Sequence, residues 1–295
     1  MVFGAGAIGS VLATLLSERH EVDVAVRGDR IERVAREGIS ITGTMERTIR
    51  PDPHPEGTYD VIFITTKAYE TATAAEAVGP FTHEDSVVAS LQNGMSNLEI
   101  LEKHFGDHAL AGLTTMGATK VDPVTVNLVD RGRTVVGPPS GCPDRARIVA
   151  SMLNDVGMDC TVSSDIHAEV WMKAVINTSI NPVATLAGRS NGAILEHPPL
   201  YRLSERACAE AVRAAEANGV ALPVANAFSL VKEVIWSTRN NRCSTLQDLA
   251  TNRRSEIDEI TGALVQKGEA AGAVMAVNRS LWALIREMEG RPMDY

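Results

Sequence analysis

The chain of 295 residues contains only four cysteines, Cys142, Cys160, Cys208 and Cys243, and no CxxC pair. That scatter excludes a disulfide framework or a zinc ribbon and suits reduced thiols in a cytoplasmic protein. No apolar run approaches the ~20 residues needed to span a bilayer. No secretory leader is expected, because Met1 is followed almost at once by a glycine-rich turn. Cations are in deficit: 28 Lys and Arg face 37 Asp and Glu, a formal net charge of −9. Such a surface argues against general nucleic-acid binding. It also requires any anionic ligand to be held by locally placed cations and N–H groups. Internal repeats and low-complexity segments are missing. The histidines, His167 among them, show no metal-ligand spacing, so no metal is expected.

What is present is a globular composition, 44% hydrophobic and 22% charged, on a chain long enough for two domains. Residues 1 to about 165 alternate short β-rich runs with helical stretches. Val22–Val26, Asp60–Thr65 and Ser86–Leu91 are predicted strands; the latter two are continuous apolar runs, the mark of a parallel strand buried on both faces. Ile8–Arg19, Asp29–Glu37 and Glu70–Val78 have helical spacing. This alternation predicts a doubly wound α/β sheet. Val124–Val129 and Thr134–Val136, flanking Asp130-Arg131-Gly132-Arg133, are expected to form an antiparallel hairpin at the sheet's edge. After about residue 166 strand signals vanish. Helices are predicted from Ile166 to about Asn181, where Pro182 follows, and from Pro198-Pro199 to Asn218-Gly219. Two more are predicted, over roughly Val224–Thr238 and from Leu246 or later to Ala271. The domain boundary is placed near Asp165.

Gly4-Ala5-Gly6-Ala7-Ile8-Gly9 is a GxGxxG loop between a strand stub and a helix, the context that a dinucleotide fingerprint requires. Gly4 permits the tight turn, Gly6 the approach of a pyrophosphate, and Gly9 close helix–strand packing. The helix N-terminus offers N–H groups and a positive dipole end to phosphates. Only Met1-Val2-Phe3 precede the loop, so a natural start upstream of Met1 stays open. The second strand ends in Arg27 rather than an acidic residue, which favours the 2′-phosphate of NADP over the bare ribose of NAD. Arg30 is a candidate to assist; the alternative is an ordinary exposed arginine at 27. Lys67 and Gln92-Asn93-Gly94 each follow a buried strand, at the carboxyl ends where such sheets bind ligands.

In the helical half, Glu169, Lys173, Asn177 and Asn181 recur every four residues and form one polar stripe on a helix. The stripe is either a solvent face with a Glu–Lys pair or the lining of a cleft; two asparagines are poor choices for the former. Ser244-Thr245-Leu246-Gln247 matches a capping box with Ser244 as N-cap. Glu256 lies at the edge of a helix's buried face, beside Ile257, Ile260 and Leu264. Trp171 and Trp236 are expected in the core.

Taken together these residues resemble the ketopantoate reductase (2-dehydropantoate 2-reductase) family over nearly the whole chain. The resemblance rests on the glycine loop, Thr66-Lys67-Ala68, Gln92-Asn93-Gly94-Met95, Glu169-Val170-Trp171-Met172-Lys173 with Asn177 and Asn181-Pro182, Ser244-Thr245-Leu246-Gln247-Asp248, and Ser255-Glu256-Ile257-Asp258. It implies a Rossmann-type, doubly wound NADP-binding domain (residues 1–165) followed by an all-helical substrate domain (166–295), with chemistry in the cleft between them. It implies that NADPH delivers hydride to the 2-carbonyl of ketopantoate, giving pantoate for pantothenate and coenzyme A synthesis. In the family the lysine at the position of Lys173 is the general acid, and the glutamate at that of Glu256 organises substrate and lysine. Asn93 matches the cofactor–substrate junction, Asn177, Asn181 and Ser244 match substrate-binding positions, and Arg27 and Lys67 match the NADP side. The partner implied is a small 2-oxo acid, with neither nucleic acid nor membrane; a homodimer is left open. Two departures bear on pocket shape. Met116 stands where some relatives carry a histidine, and Lys120-Val121-Asp122-Pro123 lacks a common glycine turn. A paralogous reductase of another branched 2-oxo acid is the alternative. A dinucleotide-sensing regulator would have lost the helical polar set, which is intact.

Overall fold

The computed structural model describes residues 1–139, 143–291 and 293. Cys142 lies outside the described residues; Cys160, Cys208 and Cys243 are free, buried thiols. The chain divides into two compact units. One comprises Met1–Gln92 and Asn97–Ile166, the other Asn93–Ser96 and His167–Tyr295. No helix of the described residues is long and apolar enough to cross a membrane.

The strands of the first unit are, in chain order, β1 (Val2–Phe3), β2 (Val24–Ala25), β3 (Ile39–Gly43), β4 (Arg47–Ile49), β5 (Val61–Ile64), β6 (Val87–Ser90), β7 (Ala109–Thr114), β8 (Gly117–Lys120), β9 (Thr125–Asp130), β10 (Arg133–Gly137) and β11 (Asp159–Val162). Its helices are α1 (Ala7–Leu16), α2 (Arg30–Glu37), α3 (Thr71–Val78), α4 (Asn97–Phe105) and α5 (Asp144–Asp155). Seven strands form one sheet in the order β11-β10-β7-β6-β5-β1-β2. Every neighbouring pair is parallel except β7–β10. The pleat explains the apolar runs. Val61 and Phe63 join Val87 and Ala89 in one core, covered by α1 and α5. Ile62 and Ile64 join Val88 in another, covered by α3 and α4. Both faces are dry, so both sets of alternate residues are apolar.

The expected hairpin across residues 130–133 does not form. β9 belongs to a second sheet, β4-β3-β9-β8, whereas β10 pairs with β7 in the first. Pairing is decided by the cores. Val126 and Leu128 of β9 turn inward with Ile39 and Ile41 of β3 onto α1, so β9 cannot also line the main sheet. The true hairpin lies one strand earlier, between β8 and β9. There the Asp122 carboxylate accepts from Val124 N at 2.8 Å and Thr125 N at 2.9 Å, and this side-chain turn replaces the missing glycine.

The second unit holds α6 (Ile166–Ala187), α7 (Ala193–Glu196), α8 (Pro198–Ala217), α9 (Ala227–Ser237), α10 (Ser244–Ala250), α11 (Ala263–Ala270) and α12 (Ala276–Met288), with no strand among the described residues. α8 packs against α7, α9, α11 and α12 through buried Ala207, Ala211, Ala214 and Ala215, whose small side chains permit close helix approach. It ends at Gly219, at φ +71°, with Val220 N bonded back to Ala215 O at 3.0 Å. Three expectations are corrected. α6 runs through Pro182 to Ala187, because Val183 and Ala184 are fully buried in the core and that burial outweighs the ~3 kcal/mol cost of an internal proline. The final predicted helix is broken after α10 at Asn252, the one described non-glycine residue with positive φ. It resumes through a π-helical turn, Asp258–Gly262, into α11. Trp236 is not core: it is 64% exposed, with the Arg239 guanidinium stacked 4.9 Å from its ring, whereas Trp171 is buried.

α1 meets the sheet at Gly9. A Cβ there would stand 2.0 Å from Gly4 O and 2.3 Å from Thr65 Oγ1. Gly9→Ala should therefore destabilise the first unit by about 3 kcal/mol. Chemical denaturation would measure the loss; a change under about 0.5 kcal/mol would show that the helix can lift away at little cost.

Candidate functional site

Each unit carries one cluster of candidate residues. In the first, the GxGxxG loop joins β1 to α1. Gly4 has φ +105°, and a Cβ there would meet Thr66 N at 2.9 Å. Thr65 Oγ1 closes the turn by donating to Gly4 O at 2.5 Å. Gly6 differs: its φ of −66° is open to any residue, and the nearest atom to an added Cβ is Thr65 O at 3.5 Å. Folding thus demands glycine at 4 and 9 but not at 6. The space left at Gly6 lies at the N-terminus of α1, which carries no acidic residue in its first turn and presents unpaired N–H groups. A pyrophosphate fits this arrangement.

Arg27 and Arg30 have different partners. Arg30 Nη2 donates to Ala5 O at 2.6 Å and Nε to Pro123 O at 2.9 Å, so it braces the glycine loop. Arg27 lies two residues past β2 with its side chain 84% exposed and pairs with Glu70. An exposed ion pair holds weakly and yields readily to a stronger anion. Lys67 opens the short turn after β5. Its loop is fixed by Gln92, for which the sequence suggested no separate role. Gln92 Nε2 donates to Thr66 O at 3.0 Å and Lys67 O at 3.2 Å, while Oε1 accepts from Ser90 Oγ at 2.9 Å. The signal for Gln92 was its place beside Asn93 at a strand end.

In the second unit, Lys173, Asn177 and Asn181 follow one another along a face of α6, with Glu169 a turn earlier. Asn181 is buried and the others half-buried. Ser244 is not the N-cap of α10. Cys243 holds that place, Gln247 N bonds to Cys243 O at 3.1 Å, and Ser244 is the exposed first residue of the helix. Cys243 is a residue the sequence did not single out. Its thiol donates to Asn181 O at 3.4 Å and contacts Thr185 Oγ1 at 3.3 Å, which ties the start of α10 to the Asn181 turn of α6. Glu256, 7% exposed, stands just before the π turn and accepts from Asn93 Nδ2 at 3.3 Å. Met95 N donates to Glu259 O at 3.1 Å, so residues 93–96 are attached to the segment that carries Glu256. Lys173, Glu256 and Asn93 therefore form one polar group in the second unit, whereas Arg27 and Lys67 belong to the first.

Burial pushes the Lys173 ammonium down to about 8, against the charge of Glu256, which raises it. Sequence left open which effect prevails; burial does. The carboxylate that opposes it is Glu256. An amine of this pKa is still roughly 90% protonated at pH 7, yet gives up its proton far more readily than an ordinary lysine.

This chain belongs to the ketopantoate reductase family: the family's two sequence profiles, "Ketopantoate reductase PanE/ApbA" and its C-terminal counterpart, match residues 1–141 and 165–289. A 2-dehydropantoate 2-reductase of Archaeoglobus fulgidus is 35% identical over 98% of this chain and 97% of its own length. The crystal structure of a PanE/ApbA family ketopantoate reductase from Ralstonia eutropha superposes with a TM-score of 0.89 at 25% identity, over 98% of this chain and 99% of that one. D-mandelate dehydrogenase, solved with NADH and anilino(oxo)acetate, gives a TM-score of 0.91 at 22% identity, over 98% of this chain and 99% of that one, which shows a shared fold alone.

The contrast between the glycines yields a test. Gly6→Ala should leave the thermal midpoint within about 2 °C of the parent, since its Cβ meets only ordinary contacts. Dinucleotide affinity should fall at least about tenfold, because a methyl would occupy the phosphate approach. Fluorescence titration with NADPH and NADH checks this; undiminished affinity would place the phosphates elsewhere.

Proposed function

We propose that this chain reduces 2-dehydropantoate (ketopantoate) to pantoate with NADPH, as a step toward pantothenate and coenzyme A. The observation that carries the reading is the half-buried Lys173, its pKa lowered to about 8, beside Glu256, with Asn93 donating to that carboxylate. The family and the A. fulgidus 2-dehydropantoate 2-reductase support the substrate. Free, buried thiols at Cys160, Cys208 and Cys243 suit a reducing compartment such as the cytoplasm.

The dinucleotide, when bound, supplies a hydride to the 2-carbonyl carbon. Negative charge then gathers on the carbonyl oxygen. The Lys173 ammonium stabilises it and donates the proton, so that the alkoxide leaves as a hydroxyl. Glu256 has two tasks. Its charge keeps Lys173 protonated at neutral pH, and its carboxylate fixes the Asn93 amide. Asn177, Asn181 and Ser244 bond the substrate's hydroxyl and carboxylate groups. In the first unit, the loop Gly4-Ala5-Gly6-Ala7-Ile8-Gly9 takes the pyrophosphate, Lys67 adds positive charge, and Arg27 exchanges Glu70 for the 2′-phosphate.

Steady-state oxidation of NADPH against a panel of 2-oxo acids tests the assignment. Ketopantoate should exceed 2-oxoisovalerate at least about 100-fold in kcat/KM, because a site built to bond the 4-hydroxyl leaves buried groups unpaired without it. Comparable values would favour a reductase of another branched 2-oxo acid. In the same assay Arg27→Ala should narrow the preference for NADPH over NADH by about 10–100-fold.

Lys173→Ala should lower kcat at least about 100-fold with NADPH affinity unchanged. In the parent enzyme only protonated Lys173 can serve as acid. The acid form is complete well below pH 8 and falls tenfold per unit well above it, so kcat/KM should be flat at neutral pH and decline through about pH 8. A profile still flat at pH 9.5 would assign the proton to another group.

A further inference from the structure

Glu256 has no long helix to hold it. It stands in the irregular stretch between α10 and the π turn, where the regular bonding ladder is interrupted, and a buried carboxylate there needs anchoring from elsewhere. The residues on either side of it supply that anchoring. Ser255 N, one residue before, donates to Glu289 Oε1 at 2.8 Å. Two residues after Glu256, Asp258 opens the π turn. Its Oδ1 accepts from Trp282 Nε1 at 2.7 Å, and its Oδ2 from Arg291 at 2.6 Å and Arg254 at 3.2 Å. Arg286 lies 3.7 Å from Oδ1, and Arg291 also pairs with Glu289. Three arginines and three carboxylates (Asp258, Glu289 and Glu259, the last also bonded to Arg254) thus form a charge-balanced network that fastens the Glu256 segment to α12 and the chain just beyond it. Burial alone would raise the Asp258 carboxyl, but Trp282 and the arginines outweigh it and hold it below its ordinary value, so it is a charged hub at neutral pH. The π turn fits the same purpose. Gly262 N bonds to Ile257 O at 2.9 Å, and the Trp282 ring lies so close to Gly262 that a Cβ there would meet Cε2 at 2.7 Å. Trp282 grips both ends of the turn, its indole N–H on Asp258 and its ring on Gly262.

We infer that Asp258, held by Trp282 and Arg291, is a positioning residue for the reduction: it sets where the Glu256 carboxylate stands, and through it Lys173 and Asn93, without touching the substrate. The inference rests on the role proposed above for Glu256. A network of this kind can equally be plain structural glue, and the two roles differ in their coupling. Glue that fails lowers the active fraction whatever residue stands at 256. A positioning hub loses its effect once Glu256 is no longer there to position.

The experiment is a double-mutant cycle on the full chain, reading kcat/KM for ketopantoate together with NADPH affinity and the thermal midpoint. Asp258→Asn keeps the volume and removes the charge. It should lower kcat/KM about tenfold in the parent, leave NADPH affinity unchanged, and have less than about a twofold further effect in a Glu256→Gln background. The alkaline limb of its pH profile should also move to lower pH, because a displaced Glu256 supports the Lys173 charge less. Trp282→Phe deletes the indole donor while keeping a ring on Gly262; it should show the same pattern at smaller amplitude, and it decides the matter if Asp258→Asn does not fold. Equal losses in both backgrounds, or no loss in the parent, would overturn the inference and leave the role of Glu256 standing. Parental kcat/KM in Glu256→Gln itself would remove the role of Glu256 and the inference with it.

Discussion

The opposition of burial and charge at Lys173 is the constraint on which the polar group of the second unit depends. Lys173 is displaced toward neutrality by burial and held back by Glu256. The balance leaves an ammonium with a pKa of about 8, lower than that of an exposed lysine. Each partner depends on a different part of the chain: Lys173 on α6, Glu256 on the stretch before the π turn, and Asn93 on four residues that follow β6. An error of register in either charged segment would leave a charge without its counterpart, a larger penalty than the loss of the Asn93 hydrogen bond.

The first unit solves a different problem, that of letting backbone approach backbone. Its sheet is apolar on both faces, so helices must close on it from both sides. Where α1 meets β1 and β5 the approach is too close for any side chain at Gly9, and the turn at Gly4 demands a left-handed backbone. These constraints belong to folding. Of the three loop glycines, Gly6 alone is not required by the fold.

Local signals carried far. The apolar runs of β5 and β6, the glycine loop, and the Asn218-Gly219 stop of α8 depend on neighbours close in sequence, and all are readable there. β7 was not, because Ala-Leu-Ala-Gly-Leu-Thr has little β-propensity. Its small residues are dictated by space: a Cβ on Gly112 would stand 2.4 Å from Leu91 Cδ2. The second sheet was hidden for another reason. β3 pairs in parallel with β9, Ser40 beside Thr125, and such a distant partnership leaves no local trace. At the candidate site the residue types were legible. The bond from Asn93 to Glu256, the bracing role of Arg30, and the victory of burial over charge at Lys173 were not, since each depends on segments that only folding brings together.

Residues 93–96 carry one more implication. The chain crosses between the two units not once but three times, into the second after Gln92, back after Ser96, and into the second again after Ile166. Met95, buried in the apolar core of the helical unit, and Asn93, bonded to Glu256, are thus encoded within the stretch that otherwise builds the sheet. The two halves are therefore not interchangeable cassettes. A recombinant joined at residue 166 would import the sheet together with a foreign tetrapeptide belonging to the other core, and a helical fragment expressed alone would lack a piece of its own interior. Any exchange of the helical unit of this chain has to respect three junctions, not one.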